Sequence, residues 1–113
     1  MFGVVQTRNG DTKNMKVQIP FLGRFKEPML KGTKVMTSRR KKYGDVGDIF
    51  EAFGTTFQIV EVGRLRLGDI ASFWKEEGME SLEDFVKTWT QIHPHNYDME
   101  ERFYYFKFQR VRV

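Results

Sequence analysis

The chain has 113 residues, 40% of them hydrophobic, and 19 Lys and Arg outweigh 15 Asp and Glu to give a formal net charge of +4. That length suits one domain with one core, and the absence of cysteine excludes disulfides, thiol nucleophiles, thiolate zinc sites and iron–sulfur clusters. No stretch reaches the roughly 18 uninterrupted apolar residues of a membrane span. The opening Met1-Phe2-Gly3-Val4-Val5-Gln6-Thr7-Arg8 has neither a basic leader nor an apolar signal core, so a soluble, cytoplasmic, monomeric protein with no membrane contact is expected.

In chain order, Asn9-Gly10-Asp11 is a turn signal between short apolar stretches. Residues 1–15 therefore read as an N-terminal arm or tail ahead of a domain over 16–113. Val17, Ile19 and Phe21 alternate with polar residues, which is the period of a half-buried strand, and Pro20 places it at a sheet edge or ends it. Residues 23–30 predict a short helix with Phe25, Met29 and Leu30 on one side, closed by Gly32. A strand follows over 35–40, then the turn-rich Tyr43-Gly44-Asp45-Val46-Gly47-Asp48. Next comes a hairpin: a strand over 49–53, a turn at Gly54-Thr55, and a long partner over 57–67.

Two helices complete the pattern. Asp69 caps the first, whose inner face holds Ile70, Phe73 and Trp74 and which ends at Gly78. Ser81, with Asp84 three residues on, opens the second; Leu82, Phe85, Val86, Trp89 and Ile92 form its apolar stripe, and Pro94 stops it. His93-Pro94-His95 with Asp98 offers too few ligands for a metal and reads as a surface loop. In the last strand, over 101–113, Tyr104, Phe106 and Phe108 share one parity while Val111 and Val113 take the other, which predicts a β-bulge near Gln109-Arg110. The fold class is α+β: a small barrel of five to six mostly antiparallel strands, with two to three helices flanking a cleft.

Leu30-Lys31-Gly32-Thr33-Lys34-Val35-Met36-Thr37-Ser38-Arg39 resembles the signature of the ASCH family, in which a short helix is followed by a glycine, a lysine, a threonine and an arginine; here these are Gly32, Lys34, Thr37 and Arg39. Val46-Gly47-Asp48 is similar to the family's turn into a barrel strand. Glu77-Gly78-Met79-Glu80-Ser81 with Phe85, and the closing Phe103-Tyr104-Tyr105-Phe106-Lys107-Phe108, resemble its later motifs. The resemblance implies a PUA-like barrel that binds RNA or nucleosides. It also implies an alternative, because some small bacterial members are metal-independent amidohydrolases acting on N4-acetylcytidine, with a lysine, a threonine and a glutamate that match Lys34, Thr37 and Glu77. Val35 stands where the family usually has threonine, and Arg39 runs on into Arg40, Lys41 and Lys42, which favours a longer, phosphate-bearing ligand.

Hydrolysis of an amide without metal or cofactor needs a nucleophile, a base and a donor to the leaving amine. Thr37 would be the nucleophile, Lys34 the base if burial and Arg39 and Arg40 lower its pKa, and Glu77 the proton shuttle. Lys34 and Thr37 are three apart and point to opposite faces of a regular strand, so a site that uses both requires Lys34 in the loop before the strand or a local irregularity. Arg39, Arg40, Lys41, Lys42 and Arg64 would meet phosphates, and Tyr43, Tyr104 or Tyr105 would stack on unpaired bases. A third class, a basic surface that meets an acidic protein, fits the same charge.

Overall fold

In the computed structural model, which describes residues 15–94 and 97–111, four antiparallel strands form one curled sheet. They are β1 (Met36–Arg39), β2 (Ile49–Ala52), β3 (Thr55–Arg66) and β4 (Arg102–Arg110), in the order β1-β4-β3-β2. Helices α1 (Lys26–Lys31), α2 (Leu67–Ala71) and α3 (Leu82–Ile92) accompany them. The α+β arrangement read from the sequence is the one found, a half-barrel with four strands among the described residues. Apart from Met15, the expected arm over 1–15 lies outside those residues. None of the described helices is long and apolar enough to cross a membrane.

The β2–β3 hairpin sets the register of the core. Phe53 and Gly54 form its two-residue turn with φ of 53° and 77°, and positive φ at both centres matches the right-handed twist of the flanking strands. The chain thus turns one residue before the expected Gly54-Thr55. This sets Phe50 opposite Phe57, with the rings stacked at 5.5 Å. Phe108 meets both rings edge-on at 5.3 and 5.4 Å, and Phe21 stacks on Phe50. Burying each such ring contributes roughly 1.5–3 kcal/mol.

The bulge lies in a different strand from the one expected. β4 runs in unbroken register to Arg110, and the irregularity falls at Val60 of β3, between the pairs Ile59–Phe108 and Glu61–Lys107. The parity change belongs to β3: Phe57 and Ile59 are buried before the extra residue and Val62 packs on the core after it. Val111 simply continues the ladder, its N–H donating to the Thr56 carbonyl, and Val113 lies outside the described residues.

Residues 17–21 are not a strand either. One parallel bridge joins Lys16 to Ile49, and beyond it the alternation reflects burial alone. Ile19 is in the core, Pro20 has no N–H to offer a ladder, and its carbonyl accepts instead from Arg39 at 2.6 Å.

Among the helices, α1 ends where foreseen, on Gly32 at φ 85°. The helix expected from Asp69 begins earlier and is shorter, because Arg66 takes the cap position and also binds the Asp69 carboxylate at 3.1 Å. α2 stops at Ala71, and residues 72–78 continue as turns. In α3 the Ser81 hydroxyl accepts the Asp84 N–H at 3.0 Å, while the Asp84 carboxylate accepts the Glu80 N–H. Its buried face is Phe85, Thr88 and Trp89; Leu82 and Ile92, at the ends of the stripe, are exposed. Ser81→Ala is expected to cost about 1 kcal/mol, read as a lower urea midpoint that Ser81→Asp restores.

Candidate functional site

The site forms where the 72–78 segment is joined to the start of β1. The Glu76 carbonyl accepts the N–H groups of both Val35 and Met36, at 2.8 and 3.0 Å. That splice holds Glu77 against the loop before β1, and Lys34 occupies that loop, as its offset from Thr37 requires. Gly78 then turns the chain with φ 90°, passing so close that a Cβ there would lie 2.7 Å from the Lys34 Cβ.

Lys34, Thr37, Ser38 and Glu77 are all buried, Lys34 being only 2% exposed. The Lys34 ammonium donates to the carbonyls of Met36 and Glu77, each at 2.7 Å, and stands 3.5 Å from Glu77 Oε1. Those three partners match the three N–H groups of an ammonium, and the Phe25 ring lies 4.4 Å from Nζ. Burial lowers the Lys34 pKa to about 8; Glu77 opposes that shift, while Arg39 and Arg24 add to it. The other Glu77 oxygen, Oε2, accepts from the Ser38 hydroxyl at 2.7 Å. Thr37 Oγ1 accepts a longer bond of 3.4 Å from Arg39 Nε.

These groups form the polar end of a cavity of about 510 Å³, inside the range of about 300–1,000 Å³ usual for small-molecule sites. Phe21, Phe25, Tyr43 and Trp89 wall it, with Arg39, Arg40 and Lys41 also in the lining. Arg39 is wedged between the Phe21 and Tyr43 rings, 5.0 and 5.7 Å from their centres. Arg40 pairs with Glu101 and Lys41 leans over Tyr43. Lys42, paired with Asp45, is not in the lining. Arg64 is also outside the cavity. It lies over the Tyr104 ring at 5.0 Å, and Arg39, Tyr104 and Arg64 are cross-strand neighbours in one row.

Three lining or bracing residues escaped the sequence reading. Ser38 carried no signal beyond its hydroxyl, because its partner is 39 residues away. Arg24 braces the wall, donating to the Thr88 hydroxyl at 2.6 Å and pairing with Asp84 at 3.3 Å. His93 is not in a surface loop: it caps the end of α3, lines the cavity and stacks on Trp89 at 4.4 Å. The four-residue spacing from Trp89, which makes the pair helical neighbours, was the available clue. Burial lowers the His93 pKa. Among the described residues no group of three His, Asp or Glu could hold a metal ion, and His95 lies outside them.

No family model matches the chain, and no curated protein matches it in sequence. Its fold is similar to solved structures. A crystal structure of an ASCH domain from Lactobacillus crispatus JV V101 superposes with a TM-score of 0.61 at 12% identity, covering 87% of this chain and 80% of that one. The crystal structure of hypothetical protein PH0355 gives 0.62 at 15% identity, covering 87% and 99%.

Proposed function

We propose, on the premise that this chain has the fold of an ASCH domain, that it is an ASCH-type protein taking a nucleoside or an unpaired RNA base into the cavity. One observation carries the reading: one half-open cavity joins aromatic walls to a buried, charged, hydrogen-bonding end. Base–aromatic stacking contributes about 1–3 kcal/mol per base, and Phe21, Tyr43 and Trp89 are the surfaces for it. The Glu77 carboxylate, whose oxygens each keep a lone pair beyond their present bonds, offers an acceptor for the polar edge of a base. The row Arg39, Tyr104, Arg64 leads away from the cavity and suits the ribose-phosphate chain of a longer ligand.

A second reading, metal-independent hydrolysis of N4-acetylcytidine, is favoured by the lowered Lys34 pKa. In that chemistry the Thr37 hydroxyl attacks the acetyl carbonyl and loses its proton to neutral Lys34. Lys34 hands that proton to Glu77, which passes it to the departing N4 nitrogen as the C–N bond breaks. Water then adds to the acyl group and releases acetate, returning a proton to the Thr37 oxygen. Neutral lysine increases as pH rises through about 8, so turnover rises with it.

Both readings are tested by titrating the protein with cytidine, N4-acetylcytidine and a short single-stranded RNA. Tryptophan fluorescence reports binding and chromatography reports free cytidine. Saturable quenching that is weakened in Tyr43→Ala is the expected result. Cytidine release that climbs through pH 8 and vanishes in Lys34→Ala establishes the hydrolase. No quenching by any of the three ligands at millimolar concentration defeats both readings.

A further inference from the structure

We propose that Ser38 is a positioning residue that holds the Glu77 carboxylate in place for the ligand in the cavity. This rests on the reading of that cavity as the ligand site.

The two hydroxyls of β1 that line the cavity have different partners. Thr37 Oγ1 accepts from Arg39, whereas Ser38 Oγ donates to Glu77 Oε2 at 2.7 Å. A bond of that length to a carboxylate oxygen is in the charge-assisted range. Both side chains are buried, Ser38 at 6% and Glu77 at 4% exposed, so a water molecule is a poor substitute for the hydroxyl. The remaining oxygen, Oε1, faces Lys34 at 3.5 Å. Two donors from adjoining parts of the chain thus clamp one carboxylate, one from the loop before β1 and one from β1 itself.

The Ser38 end of the clamp is the rigid one. Ser38 is inside β1, paired with Tyr105 of β4, while Glu77 belongs to the turns that follow α2. Without the hydroxyl, the longer Lys34 contact is the only side-chain ion pair or hydrogen bond left on the carboxylate among the described residues. Its hydrogen being committed to Glu77, the Ser38 hydroxyl acts through that carboxylate rather than as a donor to the ligand. The charged groups of this cluster are Lys34, Arg39 at the end of β1 and Arg24 in the 3-10 turn before α1.

The test compares Ser38→Ala and Ser38→Thr with the wild type. NMR follows the Lys34 side-chain titration without ligand, and fluorescence follows cytidine and N4-acetylcytidine binding. Glu77 is the group that raises the Lys34 pKa, so a carboxylate that swings away lets the Lys34 midpoint fall below about 8. In Ser38→Ala that fall is expected together with about tenfold weaker nucleoside binding, the equivalent of one hydrogen bond to a charged group. Ser38→Thr restores both. An unmoved Lys34 midpoint in folded Ser38→Ala overturns the proposal. So does a moved midpoint with undiminished affinity, which makes the bond purely structural. Should the wild type bind neither nucleoside nor the short single-stranded RNA, the reading of the cavity fails and this proposal with it; the Lys34 titration still reports whether the hydroxyl restrains the carboxylate.

Discussion

Lys34→Met is expected to lose about 3–5 kcal/mol of folding stability, and the double variant Lys34→Met/Glu77→Gln to lose clearly less. The reason is the asymmetry of buried pairs: removing one partner strands the other charge, whereas removing both charges leaves a site that apolar atoms fill. Here the stranded groups are the Glu77 carboxylate and the carbonyls of Met36 and Glu77. Urea unfolding of the four proteins of the cycle, with Glu77→Gln as the fourth, gives the coupling directly. The lysine also leaves a signature in pH. Its pKa is about 8 in the folded chain against 10.5 ordinarily, so between those values the unfolded chain binds more protons than the folded one. Stability from this group therefore rises with pH across that window, by about 3 kcal/mol, and is flat below it, where both states are protonated. Lys34→Met lacks the rise, and subtracting its pH profile from that of the wild type removes the titrating groups that do not interact with Lys34. Parallel profiles for the two proteins would show that the lysine is not desolvated in the fold.

Gly78→Ala is expected to be nearly as damaging, at about 2–5 kcal/mol. A φ of 90° costs an L-residue about 1–2 kcal/mol, and overpacking adds about 1–3 kcal/mol. The overpacked atoms are the Cβ, Cγ and Cδ of Lys34, at 2.7, 3.0 and 3.1 Å. That stem cannot yield, because moving it pulls Nζ off its two carbonyls. The chain around Gly78 must move instead, and Glu77 moves with it, so nucleoside binding falls together with stability. Gly23→Ala is the control, since a Cβ at Gly23 meets nothing within 4 Å and its φ is ordinary. Equal denaturation midpoints for the two variants would remove the close approach of Gly78 to Lys34 from the description of the site.

Local chemistry made some elements readable. Ser81 followed by Asp84 announced α3 because capping is settled within one turn, and Phe85 and Trp89 lie on its buried face. Parity, once the resemblance had put Lys34 and Thr37 in one site, left a loop or a local irregularity for Lys34, and the structure has the loop. Other features depend on partners far along the chain. The bulge at Val60 answers to the pairing of β3 with β4, and only the odd and even positions of β4 hinted that one was needed somewhere. The alternation over 17–21 reported side-chain burial truthfully and said nothing of the backbone, whose Pro20 carbonyl goes to an arginine 19 residues on. Within the site, the lysine, threonine and glutamate came from the family resemblance. The contact of the lysine with the glutamate could not be read from spacing, because it depends on the Glu76 carbonyl being diverted to β1. Ser38 was invisible for a like reason, since it acquires its partner only when the Glu77 segment packs beside β1, whereas the spacing of His93 from Trp89 held a clue to its stack.

The place of β1 in the sheet has a further consequence. β1 is an edge strand whose only strand partner among the described residues is β4, the last strand of the chain, which it meets through the pairs Met36–Lys107 to Arg39–Tyr104. The polar end of the cavity is spliced onto that same strand. The cavity lining itself comes from residues 20–43 and 77–93, so an occupant would be held by two stretches that synthesis makes at different times, and it would act as a clasp between them. Its binding energy would be felt as resistance of the whole domain to unfolding, by mass action, rather than as the stiffening of one loop.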